Sequence, residues 1–505
     1  MQSESGRGIN RKQFLKFSAA APMISAGSSS KAQVSRERQP NVLIIMTDQH
    51  RREYMGASGS SVVPTPNIDR IAARGVRFTN AICPYPVCAA SRASLVTGLH
   101  AHTTGVINNT DLLSWKTPTI AHHFAGRGYH TGLIGKMHFN DGHSHGFQYF
   151  LGFNDWFMYL GPKVQGYADE IANHPIAPQF FETVNDDGSG LPELPSIWGG
   201  KSPWAGRVKR IGLASQLSPE DQFDSFVARE SCRFLERYGN EPFFLVASSF
   251  RPHPPLHPPA DWAAQYPAEK MELKPIGENA QYPKWIQRNI ARYQALGSER
   301  LREHRAGYLG NLAYVDTCVG ELYKTLERLH LDTNTIVIYT TDHGEMDGDH
   351  GLYQKFCLFE PSVGVPVIVS QPGTIPENKV CDALVGYFGI YPTLAELTGA
   401  PEPKGLDSRS FANLARHPDS RGPEAVFSEY NLRSNTDCYM IRNRRYKYIW
   451  NRDDVAELYD LEADAGENRN LASDSSHART RNNLHEQLMS WYNPANNHYR
   501  AAHKS

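Results

Sequence analysis

The chain has 505 residues, with 52 Lys and Arg against 53 Asp and Glu and a formal net charge of -1, so no global field favours nucleic acid or an anionic membrane surface, and any anion binding has to be local. Its length allows a large core, either as one large α/β domain with an appendage or as two to four domains. Its seven cysteines (Cys83, Cys88, Cys232, Cys318, Cys357, Cys381, Cys438) include no Cys-x-x-Cys pair, which excludes a disulfide framework and a zinc knuckle while leaving one or two disulfides open.

In chain order, residues 1–32 read as an export signal: a basic start at Arg11-Lys12, a short weakly apolar stretch, and Ser30-Lys31-Ala32 as small residues for cleavage. The Arg-Lys-x-Phe-Leu-Lys pattern is similar to a twin-arginine signal, which predicts a periplasmic or secreted protein. No later run approaches the roughly 18 apolar residues of a membrane span.

Val42–Met46 reads as a buried strand ending at Thr47-Asp48-Gln49, and Asn67–Arg74 as a helix capped by Asn67 and stopped by Gly75. The run Cys83-Pro-Tyr-Pro-Val-Cys88-Ala-Ala-Ser-Arg92-Ala-Ser-Leu-Val-Thr97-Gly98 turns into a helix with Cys88 in its first turn. Arg92 follows one helical turn later and faces the same way, and the free N–H groups of the first turn add positive potential, so this is a site for chemistry on an anion. Thr117 and Pro118 open a further helix that ends before Gly126.

Thr131–Ile134 is a strand ending at Gly135-Lys136-Met137-His138, where Lys136 and His138, two apart, point the same way. Pro242–Ser248 is a strand ending at Arg251-Pro-His253, in a proline-stiffened loop that also holds His257 as a weaker candidate. A helix over about Arg302–His330 precedes a strand, Thr335–Thr340, that ends at Asp342-His343. Segments 149–218 and 261–299 lack periodicity and read as long loops above the sheet edge, where specificity resides. After Gly373 the character changes to short strands of a small antiparallel sheet, Cys438–Arg442, Tyr446–Trp450 and Glu457–Leu461, and a closing helix near Ala478–Tyr492. Four strands that each end in polar, chemistry-bearing residues predict a doubly wound sheet with one composite site at the carboxyl ends of its parallel strands. Asp347, Asp349 and His350, and the pairs His122-His123 and His143-Ser-His145, are read as structural.

Together, Cys88-Ala-Ala-Ser-Arg92 and Leu95-Val-Thr97-Gly98 closely resemble the signature of the type I, formylglycine-dependent sulfatases, Cys/Ser-x-Pro/Ala-x-Arg followed by a Leu-rich Thr-Gly, with Ala90 where proline is commoner. Gly-Lys136-Met-His138, Pro-His253-x-Pro, Asp342-His343, Lys355 thirteen residues after Asp342, and the segments Arg445-Tyr-Lys-Tyr-Ile449 and Glu457-Leu-Tyr-Asp-Leu461 match that family in order, from about Asn41 to Ala472. The resemblance implies an alkaline phosphatase-like α/β fold, with a mostly parallel catalytic sheet in residues 40–373 and a small α+β subdomain in 374–505. It also implies a sulfuric ester hydrolase in which a formylglycine-generating enzyme oxidises Cys88, the hydrated aldehyde being the nucleophile.

The same resemblance gives a metal site of Asp48, Gln49, Asp342, His343 and an oxygen from modified Cys88, holding calcium first and manganese or magnesium as alternatives. Arg92, Lys136 and Lys355 would neutralise the sulfuryl oxygens, His138 would take a proton as the covalent intermediate collapses, and His253 or Lys355 would serve the leaving group. Asn109 would contact sulfate, in a register that adjacent Asn108 leaves open. The implied substrate is a sulfated carbohydrate or another small organosulfate. Gln49 and His343 stand where aspartate and asparagine are commoner, a combination similar to choline-sulfatase-like and phosphonate monoester hydrolase-like branches, so phosphonate monoester or phosphodiester hydrolysis on the same fold stays open. A non-catalytic glycan-binding relative is a third reading, against which the retained charged positions argue.

Overall fold

In a computed structural model of the chain, residues 39–164, 214–276, 281–432 and 434–492 are described; the segment expected to be an export signal and much of the first expected loop lie outside them. The strand β1 (Asn41–Asp48) is buried at every position. Val42, Ile44 and Met46 enter one apolar cluster and Leu43 and Ile45 another, because successive side chains of a strand point to opposite faces and both faces here are covered.

Around β1 the strands β2 (Gly75–Ile82), β3 (His130–Gly135), β4 (Tyr149–Leu151), β5 (Phe243–Pro252), β6 (Thr335–Thr341), β7 (Val367–Ser370) and β8 (Lys379–Gly386) complete an eight-stranded sheet in the order β4-β3-β5-β1-β6-β7-β2-β8. All neighbours pair in parallel except β7, which is antiparallel to β6 and β2. β8 lies past the change of character expected at Gly373, so the central sheet extends beyond that boundary.

Helices α1 (Pro66–Ala73), α2 (Cys88–Thr97), α3 (Phe223–Tyr238) and α4 (Ser298–Arg328) belong to this layer. The helix expected at 302–330 is α4, whose Val319, Leu322 and Leu326 pack with Val337 and Tyr339 of β6. Among the described residues no helix is long and apolar enough to cross a membrane.

Some local expectations are corrected. α1 is entered through Thr65 with Pro66 in its first turn, while Asn67 lies inside and donates from Nδ2 to Asp316 at 2.8 Å. Gly75 begins β2, where a Cβ would sit 2.2 Å from the Val369 carbonyl. The cap expected at Thr117 is Thr119, whose hydroxyl accepts from the His122 amide. The two expected loops contain β4 and helices at Phe153–Leu160 and Lys284–Gln294; the second buries Trp285, Ile286, Ile290 and Tyr293 at helical spacing, a period the sequence reading overlooked.

The antiparallel sheet has four strands, β9 (Ala425–Tyr430), β10 (Cys438–Asn443), β11 (Tyr446–Asn451) and β12 (Glu457–Asp460), backed by α5 (Ala478–Trp491). β9 escaped the sequence reading. A buried ionic cluster fastens this sheet to the catalytic layer: Glu360 accepts from Arg52 (3.0 Å), Arg442 (2.9 Å) and Lys447 (2.9 Å), and Lys447 also reaches Glu467 at 2.7 Å. Burial opposes ionisation of Glu360, but these three cations hold its carboxyl well below the usual range. Removing one partner of a buried cluster strands the others. Lys447→Ala is therefore expected to cost about 3–5 kcal/mol in denaturant unfolding.

Beside this cluster, burial pushes the Glu457 carboxyl up to about 7. The unfolded state releases that proton first, so stability is fully present at pH below the ordinary carboxylate value and is lost as pH rises toward 7. Melting temperature should fall between pH 5 and 8, and Glu457→Gln, which keeps the neutral form, should flatten that fall.

Candidate active site

The parallel order β3-β5-β1-β6 puts four strand ends side by side, and each delivers the residues expected of it. Thr47 of β1 lies level with Thr341 of β6, so Asp48 and Asp342 emerge together. Gly135 of β3 is level with Ser248 of β5, so Lys136 leaves next to the strand that leads to His253. Gly135 has φ of 111° and a Cβ there would lie 1.9 Å from the Ser248 carbonyl; only glycine lets the chain turn so close.

Cys88 is the first residue of α2 and is 1% exposed. Pro84 and Pro86 lie in a bent approach in which the Val87 amide donates to the Tyr85 carbonyl at 2.9 Å, and Ala89, Ala90 and Ala93 then favour the helix. Its Sγ lies 3.1 Å from His343 Nε2 and 3.9 Å from Asp48 Oδ1. Burial alone would push the Cys88 thiol up, but Lys136, Lys355, His343 and a hydrogen bond with His138 outweigh it and hold the thiol well below its ordinary value. The pocket is built for an anion.

Asp48, Cys88, Asp342 and His343 can each present one ligand atom within 4.8 Å of one another. Two carboxylates and an imidazole suit a divalent cation, and a Cys88 converted to an oxygen-bearing side chain would complete a hard donor set. Burial and Cys88 push the Asp48 carboxyl up, yet Lys136 at 2.5 Å, His253 and Arg92 hold it well below the usual range, so it is ready as an ionised ligand. His343 Nδ1 contacts the Gly344 carbonyl at 3.1 Å, which turns Nε2 toward the cluster.

Two expectations change. Arg92 is wholly buried and its donors are engaged within the protein: Nε donates to Asp342 (2.8 Å), Nη2 to Asp48 (3.0 Å), and Nη1 to the Lys136 carbonyl (2.5 Å) and Ser248 Oγ (2.9 Å). It positions both carboxylates instead. Gln49, expected as a ligand, uses its amide elsewhere: Oε1 accepts from Lys355 Nζ at 2.6 Å and Nε2 donates to Glu345 at 2.5 Å. A left-handed backbone at Gln49, φ 69°, directs this turn.

His253 is buried, with Nδ1 2.6 Å from the Pro254 carbonyl and its ring against Phe250. Burial first, then Lys355 and Lys136, lower it to about 4 against the pull of Asp48. Burial also lowers His138, whose Nδ1 is buried without a hydrogen-bond partner. Asn109 does not face the pocket through its carbonyl oxygens: Oδ1 accepts from the Ala89 amide of α2 at 3.2 Å, and its main-chain oxygen accepts from Asn140. His257 stays in the loop wall, its carbonyl bound by Arg251. Asp347 is tied to Arg305 and Tyr54, and Asp349 to Arg51 and Lys274.

Sequence reasoning gave no role to Glu345, which stands inside the Thr341-Asp-His-Gly-Glu345 motif. It is buried, its carboxyl is raised to about 7 by burial, and it accepts from Gln49, the Asp347 amide and the Gln354 amide. Ser248 was missed too; the only signal was a polar residue ending an apolar run. For Arg92, the planar fork is the requirement, and Arg92→Lys is expected to lower kcat/KM at least about 100-fold and to cost about 3–5 kcal/mol in denaturant unfolding.

The sequence matches the sulfatase family over residues 40–400 and the C-terminal family of N-sulphoglucosamine sulphohydrolase over residues 348–493. An arylsulfatase of Clostridium perfringens is 29% identical over 443 residues, covering 86% of this chain and 90% of that one. Among solved structures, the phosphonate monoester hydrolase SpPMH from Silicibacter pomeroyi superposes with a TM-score of 0.74 at 23% identity, over 90% of this chain and 95% of that one. BT4656, solved with its substrate D-glucosamine-2-N,6-O-disulfate, gives 0.66 at 22% identity, over 90% and 97%. With its mostly parallel sheet and appended antiparallel sheet, the chain belongs to the sulfatase family, hydrolases of sulfuric esters.

Proposed function

We propose that this sulfatase cleaves the sulfate ester of a carbohydrate or another small alcohol, using formylglycine derived from Cys88 and one divalent cation. The observation that carries the reading is Cys88 itself, buried in a pocket whose Lys136, Lys355 and His343 stabilise negative charge at its Sγ. The substrate class draws support from BT4656, whose substrate is a disulfated glucosamine.

Asp48, Asp342 and His343 would hold the cation, and the second lone pair of Gln49 Oε1, beside the one that accepts from Lys355, is open to it. When bound, the cation polarises oxygen as a Lewis acid, and the formylglycine, as its hydrate, supplies a nucleophilic hydroxyl at the place now held by Sγ. Lys136 and Lys355 bring two ammonium groups to that place and bind the sulfuryl oxygens, where charge gathers as the ester bond breaks. His138, neutral and hydrogen-bonded to Cys88, is placed to take a proton from that side chain and return it. His253 is neutral at pH 7, and its Nδ1 hydrogen is committed to a carbonyl that can only accept. Lys355 is then the donor for the departing alkoxide, and His253 orients the ester. We infer calcium first for the cation, with manganese or magnesium as substitutes, maturation by a formylglycine-generating enzyme, and export through residues 1–32.

One observation favours a second reading, phosphonate monoester or phosphodiester hydrolysis: the fold likeness to SpPMH. Cationic pockets beside a divalent metal serve both chemistries.

The test is peptide mass spectrometry across Cys88 after coexpression with a formylglycine-generating enzyme, followed by turnover of a chromogenic sulfate and the matching phosphodiester. The expected result is replacement of the thiol's sulfur and two hydrogens by one oxygen, faster turnover of the sulfate, loss of activity in Cys88→Ala, and at least about a 100-fold loss on chelation that calcium or manganese restores. Faster cleavage of the phosphodiester would move the second reading to the front. A thiol left intact despite the modifying enzyme would overturn the mechanism.

A further inference from the structure

Outside the catalytic pocket, one surface feature has no role in the chemistry above. Trp115 is 58% exposed and Leu112 60% exposed, on a loop that is otherwise firmly held. Leu113 is buried beneath it. Asp111 accepts from the Ile107 and Asn108 amides at 2.8 Å, and Asn140 donates to the carbonyls of Asn109 (2.7 Å) and Asp111 (2.8 Å). The Trp115 indole stacks on the His143 ring, centroids 5.7 Å apart at 25°, and Lys116 Nζ lies 5.5 Å from its centre. A large aromatic ring held in water by a braced loop, with a cation over it, has the composition of a sugar-stacking site.

Both segments that carry the platform also reach the catalytic pocket. Asn109, six residues before Trp115, bonds the Ala89 amide next to Cys88. His138, five residues before His143, hydrogen-bonds Cys88. Five residues span at most about 18 Å between the Cα atoms of His138 and His143, so with the side chains added the platform lies within about 35 Å of the nucleophile. Asn140 ties the two segments together, so the indole is fixed relative to the pocket.

We propose that Trp115, stacked on His143 with Lys116 Nζ over its ring, is a subsite for a glycosyl residue of a sulfated oligosaccharide at a distance from the residue that is cleaved. The flexible Lys116 side chain turns off the ring as the apolar C–H face of the sugar stacks there, and its ammonium pairs with a sulfate or carboxylate of the same residue. The indole alone would accept any flat apolar group, but cations beside it select an anionic ring. This deepens the reading of the substrate as a sulfated carbohydrate and rests on it.

The experiment compares kcat/KM of the matured enzyme on a nitrophenyl sulfate with kcat/KM on a heparin tetrasaccharide, a carrageenan hexasaccharide and an ulvan oligosaccharide. In Trp115→Ala the oligosaccharide-to-aryl ratio should fall about tenfold, chiefly through KM, and Trp115→Phe should recover most of it. Lys116→Ala should lower the same ratio, by a factor that shrinks at high salt. An unchanged ratio in Trp115→Ala, or a Phe variant as poor as the Ala variant, would overturn the subsite. So would turnover of the aryl sulfate with none of the oligosaccharides, which leaves the sulfatase mechanism standing. Failure on every sulfate ester by protein whose Cys88 is fully converted would sink the mechanism itself, and the subsite with it.

Discussion

The guanidinium of Arg92 is the constraint on which the site depends. It touches the ends of four strands: Asp48 at the end of β1, Asp342 after β6, the Lys136 carbonyl after β3 and Ser248 in β5. Two carboxylates brought together in a dry interior repel, and one of them would take up a proton unless a cation lies between them. Arg92 lies between them. Its donors radiate in a plane from a charge that survives burial, a geometry an ammonium cannot supply. The four-residue separation from Cys88 follows from this: one helical turn lets Cys88 open on the pocket while Arg92 lies beneath it, both carried by α2. The signature is as much an architectural motif as a chemical one.

The strand ends were legible because each strand is apolar without interruption and stops where chemistry starts; a buried parallel strand has to read that way. Lys136, His138, His253, Asp342 and His343 could be placed at the carboxyl edge for the same reason, and Lys355 only through its spacing from Asp342 in the family resemblance. What the sequence hid was direction. Arg92 reads as an anion-binding cation, and nothing local says that its donors are consumed by partners 44 to 250 positions away. Gln49 reads as a ligand beside Asp48, but its amide is claimed by Glu345 and Lys355, about 300 positions on. Such bonds are set by tertiary placement, not by periodicity. The same holds for Asn109, whose side chain braces the helix of Cys88, and for α1, where Asn67 had the composition of a cap but Asp316 of α4 took its side chain.

The antiparallel sheet is more than an appendage. Besides the Glu360 cluster, the Glu429 amide of β9 donates to the Pro84 carbonyl at 2.9 Å, and the Leu432 amide to the Tyr85 hydroxyl at 3.2 Å. Both contacts fall on the segment that delivers Cys88. The Glu429 carboxylate also accepts from the amide and ring of His102, just past α2. α2 is thus held from both ends by β9, and Arg52 and Glu360 carry the same restraint to the segments that follow Gln49 and Lys355. A site whose chemistry depends on aiming charges at one point needs such support, because a displacement of an ångström is felt in every electrostatic contact.

The burial of Cys88 sets an order of events for the maturation proposed above. In the folded chain the thiol is enclosed by His343, Lys136, Lys355 and His138 at the base of the sheet edge, with 1% of its residue surface exposed. In the fold the residues around it are the first turn of α2 and a proline-bearing approach bonded to β9. With the thiol so enclosed, the conversion proposed above would have to precede closure of the sheet edge. Export of a folded protein through the signal proposed at residues 1–32 would then place the modification before folding and folding before translocation. The aldehyde would be generated where the modifying enzyme is and enclosed before it meets other nucleophiles. The same cations that stabilise negative charge on the free thiol would afterwards face the sulfate of the substrate, so a single arrangement of Lys136, Lys355 and His343 favours an anion at this point whether or not the sulfur has been replaced.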